Sequence, residues 1–450
     1  MIGLRLITSM TFILFILACP SFEADVYGEE KDNYYTLERS ILEALENNWG
    51  VKTKKEKIDE ARYVKEQAKA DFFPKLSTSY GYTRRDEVEM SDPVSLGGAL
   101  FIPARPLNTR DNYQWRSSIR QPLFTGFALL STYELAKLGV DRSEMELELE
   151  KLDIILKVKE AYFNILTADI AVEVVQREVE SRESHLEVAK NFYDVGIIPI
   201  NDLLKAEVEI ANSRQNLVKA QNAAKLARSA FNNVLARPVN LPVEVEVEKN
   251  LAFRPERVDF EESMDKALKH RPEVNVVDLS LLQADQQIRL ARSKYYPEVA
   301  LTYDYIKEGD EYDVSGSEFH DDSRWQAMAV LSWTFWEWGK TNSAVREKES
   351  LKRQLIQTRA SLVENIGLEL KEAALELDQA EKNIPPTKKA VEQAEENLRV
   401  NEERYKAQVT TMTEVLDAES LLTQARRNYY SALIDHRLAK ARLLRAMGEN

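Results

Sequence analysis

Cysteine is all but missing: Cys19 is the only one in 450 residues, so no disulfide braces the chain. An exported protein of this size must then be held by packing or oligomerisation. Histidine is nearly as scarce, and His185, His270, His320 and His436 are too scattered to suggest a metal or catalytic cluster. Glycine and proline number 14 each, a low share that suits long helices better than a loop-rich enzyme. There is no phosphate-cradling Gly-x-x-x-x-Gly-Lys-Ser/Thr loop, no Gly-x-Ser-x-Gly and no His-Glu-x-x-His, so no enzyme and no cofactor is expected. Positive charge is not in excess either. Against 75 acidic side chains stand 61 basic ones, leaving −14, and no basic cluster interleaved with aromatics points to nucleic acid.

What is present begins with an apolar run, residues 6–18 behind Arg5, which is too short for a bilayer span and has the length of a signal-peptide core. Residues 1–21 therefore read as an export signal. Ile16-Leu-Ala-Cys19 has the look of a lipoprotein-processing box, which makes Cys19 a candidate for lipidation. The alternative is an incidental cysteine in a discarded peptide cut after Ser21 or Ala24. No later stretch is long and apolar enough for a membrane helix.

The remainder is duplicated. Residues 192–207 and 404–419 align without a gap, placing Tyr193 on Tyr405, Leu204 on Leu416, Ala206 on Ala418 and Glu207 on Glu419. Charged heptads flank both stretches, so each reads as the tip of a helical hairpin. Gly196 and Pro199 break the first, and the β-branched run in Gln408-Val-Thr-Thr411 breaks the second. The repeats span residues 35–236 and 264–450, with a linker at 237–263 that carries a short Val/Glu-alternating strand. Within them, helices at 35–70 and 272–293 are stopped by Asp71-Phe-Phe-Pro74 and Lys294-Tyr-Tyr-Pro297. Long helices follow from residue 129 to 194 and again up to the second tip, and Pro385-Pro386 is expected to kink the latter or mark a junction.

Between the stop and the long helix, each repeat carries two strands of period two. They form hairpins at residues 75–124 and 298–335, with polar loops at 84–111 and 307–322. Leu76, Thr78, Tyr80 and Tyr82 share a face opposite Lys75, Ser77, Ser79 and Gly81, and Arg116 and Glu298 also fall on the polar side. Such strands are long enough to cross a hydrocarbon layer at a tilt, and their Trp and Tyr residues suit its interface. Four strands cannot close, and a sheet edge in lipid leaves backbone groups unpaired. Copies must pool them: two chains give a filled barrel of eight, and three give twelve with room for a wet lumen.

The ordered set of Phe-Phe-Pro or Tyr-Tyr-Pro stop, Gln121-Pro-Leu-Phe-Thr-Gly126, Arg271-Pro-Glu273 and the two tips resembles the TolC family of outer-membrane efflux channels. The resemblance implies a mainly α fold with transmembrane β: a homotrimeric, 12-stranded β-barrel in the outer membrane continuous with a 12-helix α-barrel in the periplasm. The linker and C-terminal segments would form a belt around the tunnel. It further implies an exit duct for tripartite efflux or type I secretion, docked by a periplasmic adaptor to an inner-membrane pump of RND, ABC or MFS type. Asp202 and Tyr405 match a gate hydrogen-bond pair, and Glu414 and Asp417 match the acidic rings at the constriction. Val195, Gly196 and Ile197 match an adaptor-contacting tip motif; Ala407, Gln408 and Val409 stand at the second tip but lack its glycine. Thr410 stands where the best-known pattern has an arginine that strengthens the gate.

Each site residue also has a plainer reading. Glu414 and Asp417 could be a solvated helix face, Asp202 a charge favoured by a helix N-terminus, and Tyr405 interhelical packing. The rival function is a structural coiled-coil envelope protein without a pore, which accounts for the helices but not for the aromatic hairpins.

Overall fold

The computed structural model describes residues 33–97, 100–246, 258–318 and 321–449. The signal read at residues 1–21, Cys19 and His320 lie outside the described residues. In chain order the elements are β1 (Tyr34–Tyr35), α1 (Leu37–Asn47), α2 (Trp49–Ala70), β2 (Lys75–Arg84), β3 (Val94–Leu96), β4 (Leu100–Ile102), β5 (Asp111–Thr125), α3 (Ala128–Asp194) and α4 (Ile200–Val234). The second half adds β6 (Glu244–Val245), α5 (Phe260–His270), α6 (Pro272–Arg292), β7 (Glu298–Gly309), β8 (Ser323–Ser332), α7 (Lys340–Lys406) and α8 (Met412–Met447).

Helices α3 and α7 have 67 residues each, on the order of 100 Å at 1.5 Å per residue. Neither could bury its narrow apolar seam alone. Helix α3 packs along α4, and α7 along α8, while α2 and α6 lie against the N-terminal part of α3. Several apolar clusters result, three of which fasten the main seams. One surrounds Tyr35, Tyr162 and Phe231; one lies between α7 and α8 around Leu370, Leu377 and Leu443; one sits at the tips.

Strands β2, β5, β7 and β8 form one antiparallel sheet in that order, so the hairpins of the two repeats meet through β5 and β7. Register fixes two faces. Lys75 lies opposite Arg120, Ser79 opposite Arg116, Ser118 opposite Asp304 and Glu298 opposite Ser332, so the polar residues share a side. Tyr80 opposes Trp115, Ile119 opposes Tyr303 and Tyr305 opposes Trp325 on the other. The polar face is cross-linked: Ser118 and Gln326 both donate to Asp304, while Gln114 and Arg324 donate to Glu308. The outer strands β2 and β8 each pair on one side only.

Both β-to-α turns use two successive left-handed residues, Gly126 with Phe127 (φ 61° and 70°) and Trp338 with Gly339 (φ 52° and 83°). At Gly126 a side chain has no room, because an added Cβ would lie 2.4 Å from the carbonyl oxygen of Ser293.

Several details depart from the sequence reading. The helix expected over residues 35–70 is two, because Asn48 caps the second: its side-chain oxygen accepts from Gly50 N–H at 2.8 Å and its amide reaches Val234. The 84–111 loop holds a small hairpin, β3 with β4, and the last strand ends at Ser332, short of residue 335. The linker strand is only Glu244–Val245, paired parallel with β1, and α5 begins inside the linker where Asp259 caps Glu261 and Glu262. Of the two readings of Pro385-Pro386, a kink or a junction, the junction is not formed: α7 runs through both prolines. The long packing of α7 against α8 on either side outweighs the two lost hydrogen bonds.

Candidate functional site

The tips close by one geometry built from different residues. At the first, Gly196 is left-handed (φ 77°), Gly196 N–H donates to Tyr193 O and Ile197 N–H to Phe192 O, both at 2.9 Å. At the second, Gln408 takes the same place (φ 61°), and Gln408 N–H and Val409 N–H donate to Tyr405 O and Arg404 O, again at 2.9 Å. This is the paired closure of a helix end that glycine favours. The second break is therefore a left-handed glutamine, not the β-branched run that follows it. Val195, Gly196, Ile197, Ala407, Gln408 and Val409 are all exposed at the end of the hairpins, where a partner could reach them.

Behind the turns, Ala189 of α3, Leu203 and Ala206 of α4, Tyr405 of α7 and Met412, Val415 and Leu416 of α8 form the cluster that fastens hairpin to hairpin. Phe192 and Tyr405 rings meet at 5.7 Å across it. Asp202 opens α4 and stands near Tyr405: burial, then the Asp202 charge, push the phenol above its usual range. The expected hydrogen bond between them is not formed, however. The Tyr405 hydroxyl is buried with no partner, because the ring is seated by the apolar cluster rather than by the carboxylate. Glu414 and Asp417 are exposed and lie in the first two turns of α8. A cavity of about 460 Å³ between α4 and α8 is lined by Leu204, Val208, Leu416 and Asp417 among others.

Further from the tips lies a charge cluster that the sequence reading missed. Arg182, buried on α3, is 3.0 Å from Glu178, 2.6 Å from Glu209 of α4 and 3.6 Å from Glu419 of α8, and donates to Ser420 Oγ at 3.0 Å. Glu419 is only 3 % exposed. Burial lifts its carboxyl to about 7; Ser181 and Arg182 pull the other way, and Glu178 and Glu402 push with the burial. The available signal was Glu178 and Arg182, four residues apart within the apolar stripe of Val174, Val175 and Val179.

The Arg271-Pro-Glu273 motif proves to be a staple. Arg271 reaches Glu273 (2.8 Å) and Glu369 of α7 (2.7 Å), and Arg445 of α8 reaches Glu273 (2.8 Å) and Asp153 of α3 (2.7 Å). Burial raises the Glu273 carboxyl, but the hydrogen bonds from both arginines outweigh it and hold it at about 2.

No group of metal-ligating side chains occurs among the described residues, and none of the described helices is long and apolar enough to cross a membrane. The latter says nothing of a β-barrel.

Residues 41–237 and 264–449 match the family described as outer membrane efflux protein, the two halves separately. Outer membrane protein TolC of Escherichia coli (strain K12) is 22 % identical over 412 residues, 87 % of this chain and 76 % of that protein. The probable outer membrane lipoprotein SilC of Salmonella typhimurium is 19 % identical over 92 % of this chain and 85 % of its own length. Among solved structures, the Campylobacter jejuni CmeC outer membrane channel superposes with a TM-score of 0.77 at 15 % identity, covering 99 % of this chain and 94 % of that one. That likeness places the fold among the TolC-like outer-membrane channels, mainly helical with a transmembrane sheet. The chain belongs to the outer membrane efflux protein family, a family of channel proteins whose place is the cell's outer membrane.

Proposed function

We propose that three copies of this chain form an exit duct for a tripartite efflux or type I secretion system, opening at the helical tips when an adaptor and an inner-membrane pump engage. The observation that carries this is the sheet: aromatic on one face, polar on the other, unpaired at β2 and β8, and set on hairpins on the order of 100 Å long. Joining β8 of one copy to β2 of the next leaves no edge in lipid, turns the tyrosines and tryptophans to the bilayer and encloses Asp304, Glu308 and Arg116 around water.

In this reading the exposed tips, Val195 to Ile197 and Ala407 to Val409, meet the adaptor. Glu414 and Asp417, repeated by the threefold, ring the constriction and favour cations. Asp202 and Tyr405 act as the gate pair, bonding in the closed assembly. Lipidation of Cys19 would add an anchor, and the name of SilC as a lipoprotein supports it.

The test is a trimer in detergent that conducts in planar bilayers. Asp202→Ala with Tyr405→Phe is expected to raise conductance, and no change removes the gate pair. Glu414→Gln with Asp417→Asn is expected to cut cation preference. A water-soluble monomer without a pore would overturn the duct and leave the coiled-coil envelope reading.

A further inference from the structure

We propose that Glu419 is a proton-operated latch between the two helical hairpins: protonated, it lets them pack; ionised, it loosens them. The inference rests on the duct reading, since what it regulates is opening at the tips.

The geometry is that of one cation shared too widely. Arg182 is the only guanidinium among three carboxylates, Glu178, Glu209 and Glu419, at 3.0, 2.6 and 3.6 Å. Its shortest contact is taken by Glu209, and Glu178 has a second donor in Ser213 Oγ at 3.2 Å. Glu419 has the longest ion pair, is 3 % exposed, and neither of its oxygens makes a hydrogen bond of good geometry. With all three acids ionised the cluster would be short of positive charge in a buried place, which is costly. One proton, on the acid with the weakest partners, removes the deficit.

Apart from the more distant Lys406, the groups facing Glu419 supply no other cation. From α3 come Glu178, Ser181, Arg182 and His185; from α4, Glu209; from α7, Glu402 and, further off, Lys406. Burial holds His185 below its ordinary range, so it stays neutral near pH 7. Contacts that cross from the first hairpin to the second gather here: Arg182 to Ser420, Arg182 to Glu419 and His185 to Glu402.

The direction follows from linkage. A carboxyl lifted to about 7 by packing keeps a proton that a solvated carboxyl releases near its usual value of 4.5. Packed hairpins therefore bind more protons, are firmest in acid, and weaken as pH rises towards 7; above that the penalty is constant. Glu207, the same position in the first repeat, is exposed and has no such burden.

The experiment is single-channel recording of the full-length protein in planar bilayers at pH 5 and pH 8, for the wild type, Glu419→Gln and Glu207→Gln. The open fraction of the wild type is expected to rise at least about tenfold from pH 5 to pH 8. Glu419→Gln should stay at its acid level throughout, and Glu207→Gln should respond as the wild type does. A wild type without pH response, or a Glu419→Gln channel with the full response, overturns the latch while the duct stands; no pore in any of them overturns the duct and the latch with it. Infrared titration in detergent is the second reading. A protonated carboxyl signal near neutral pH in the wild type, missing in Glu419→Gln, is expected, and its absence from the wild type overturns the latch whatever the variant's folding.

Discussion

The two helical tips have the same turn and opposite interiors. Residues that the repeat makes equivalent share a backbone path, yet Tyr193 and Glu207 of the first hairpin are exposed while Tyr405 and Glu419 of the second are buried. Gly196 takes its left-handed turn without a side chain to resist it, whereas Gln408 takes the same turn against one. The cation of the charge cluster is also one-sided: Arg182 has Ala394 as its counterpart. Duplication thus supplied the hairpin geometry, and divergence made one hairpin the socket and the other the part that seats in it. In the proposed duct that asymmetry gives opening at the tips a preferred element to move, which two identical hairpins would not offer.

The largest way to break the comparison is Arg182→Ala. It strands Glu178 and Glu419 in the interior, and losing one partner of a buried pair costs about 3–5 kcal/mol. Thermal unfolding in detergent should show that loss, larger at pH 8 than at pH 5; adding Glu419→Gln should recover part of it. An unchanged melting temperature would mean that the cluster carries no cohesion between hairpins.

Away from the tips, the Arg271–Glu273–Arg445 staple gives the opposite pH response and serves as the contrast. Its carboxyl is held at about 2, below the ordinary value near 4.5, so the stabilisation is complete above pH 4.5 and drains away as pH falls towards 2. The amount at stake is about 3 kcal/mol at most. Glu273→Gln should lower stability at pH 7 and flatten the acid limb of the stability curve. If acid loss persists unaltered in that variant, the staple is not what acid breaks. Glu273 is then a carboxylate that acid weakens, and Glu419 is one that acid firms.

How much of this was legible in the sequence divides along the range of the interactions. The strands and their faces followed from period two, and the register put Lys75, Ser77, Arg116 and Glu298 on one side as the alternation required. Helix ends at Phe-Phe-Pro and Tyr-Tyr-Pro are local chemistry and stood where expected. The run of α7 through Pro385-Pro386 was hidden because packing against α8, not propensity, decides it. Arg182 with Glu419 and Ser420, or Arg271 with Glu369 and Arg445, are pairs or triads far apart in the chain; only the packed hairpins bring them together. The aligned Glu207 and Glu419 were visible, but nothing local says which one faces inward.

The turns themselves give a smaller effect with a sign. Gln408→Gly should stabilise the second tip by about 1 kcal/mol, since it removes the strain of a left-handed side chain, and Gly196→Gln should cost the first about as much. Space is not the obstacle at Gly196, where an added Cβ meets nothing within 4 Å, so the cost would be conformational alone. Protease sensitivity at each tip reads the two changes separately. Equal and like-signed responses would show that the shared turn is not what the two tips balance differently.

The smallest effect bears on the gate. Because the Tyr405 hydroxyl is buried without a partner in the single chain, Tyr405→Phe removes an unsatisfied polar group from an apolar cluster and, unless the gate bond forms on assembly, should be neutral or stabilising by up to about 1 kcal/mol in a melt. Tyr193→Phe, at an exposed site, should change nothing. Should Tyr405→Phe instead destabilise the assembled trimer by more than about 1 kcal/mol, the hydroxyl must find its acceptor on assembly, and Asp202 is the carboxylate near enough to be felt by it. The melt therefore separates a gate held by a hydrogen bond from one held by the aromatic seat of Tyr405 against Phe192, and only the second leaves the phenylalanine variant as tightly closed as the tyrosine.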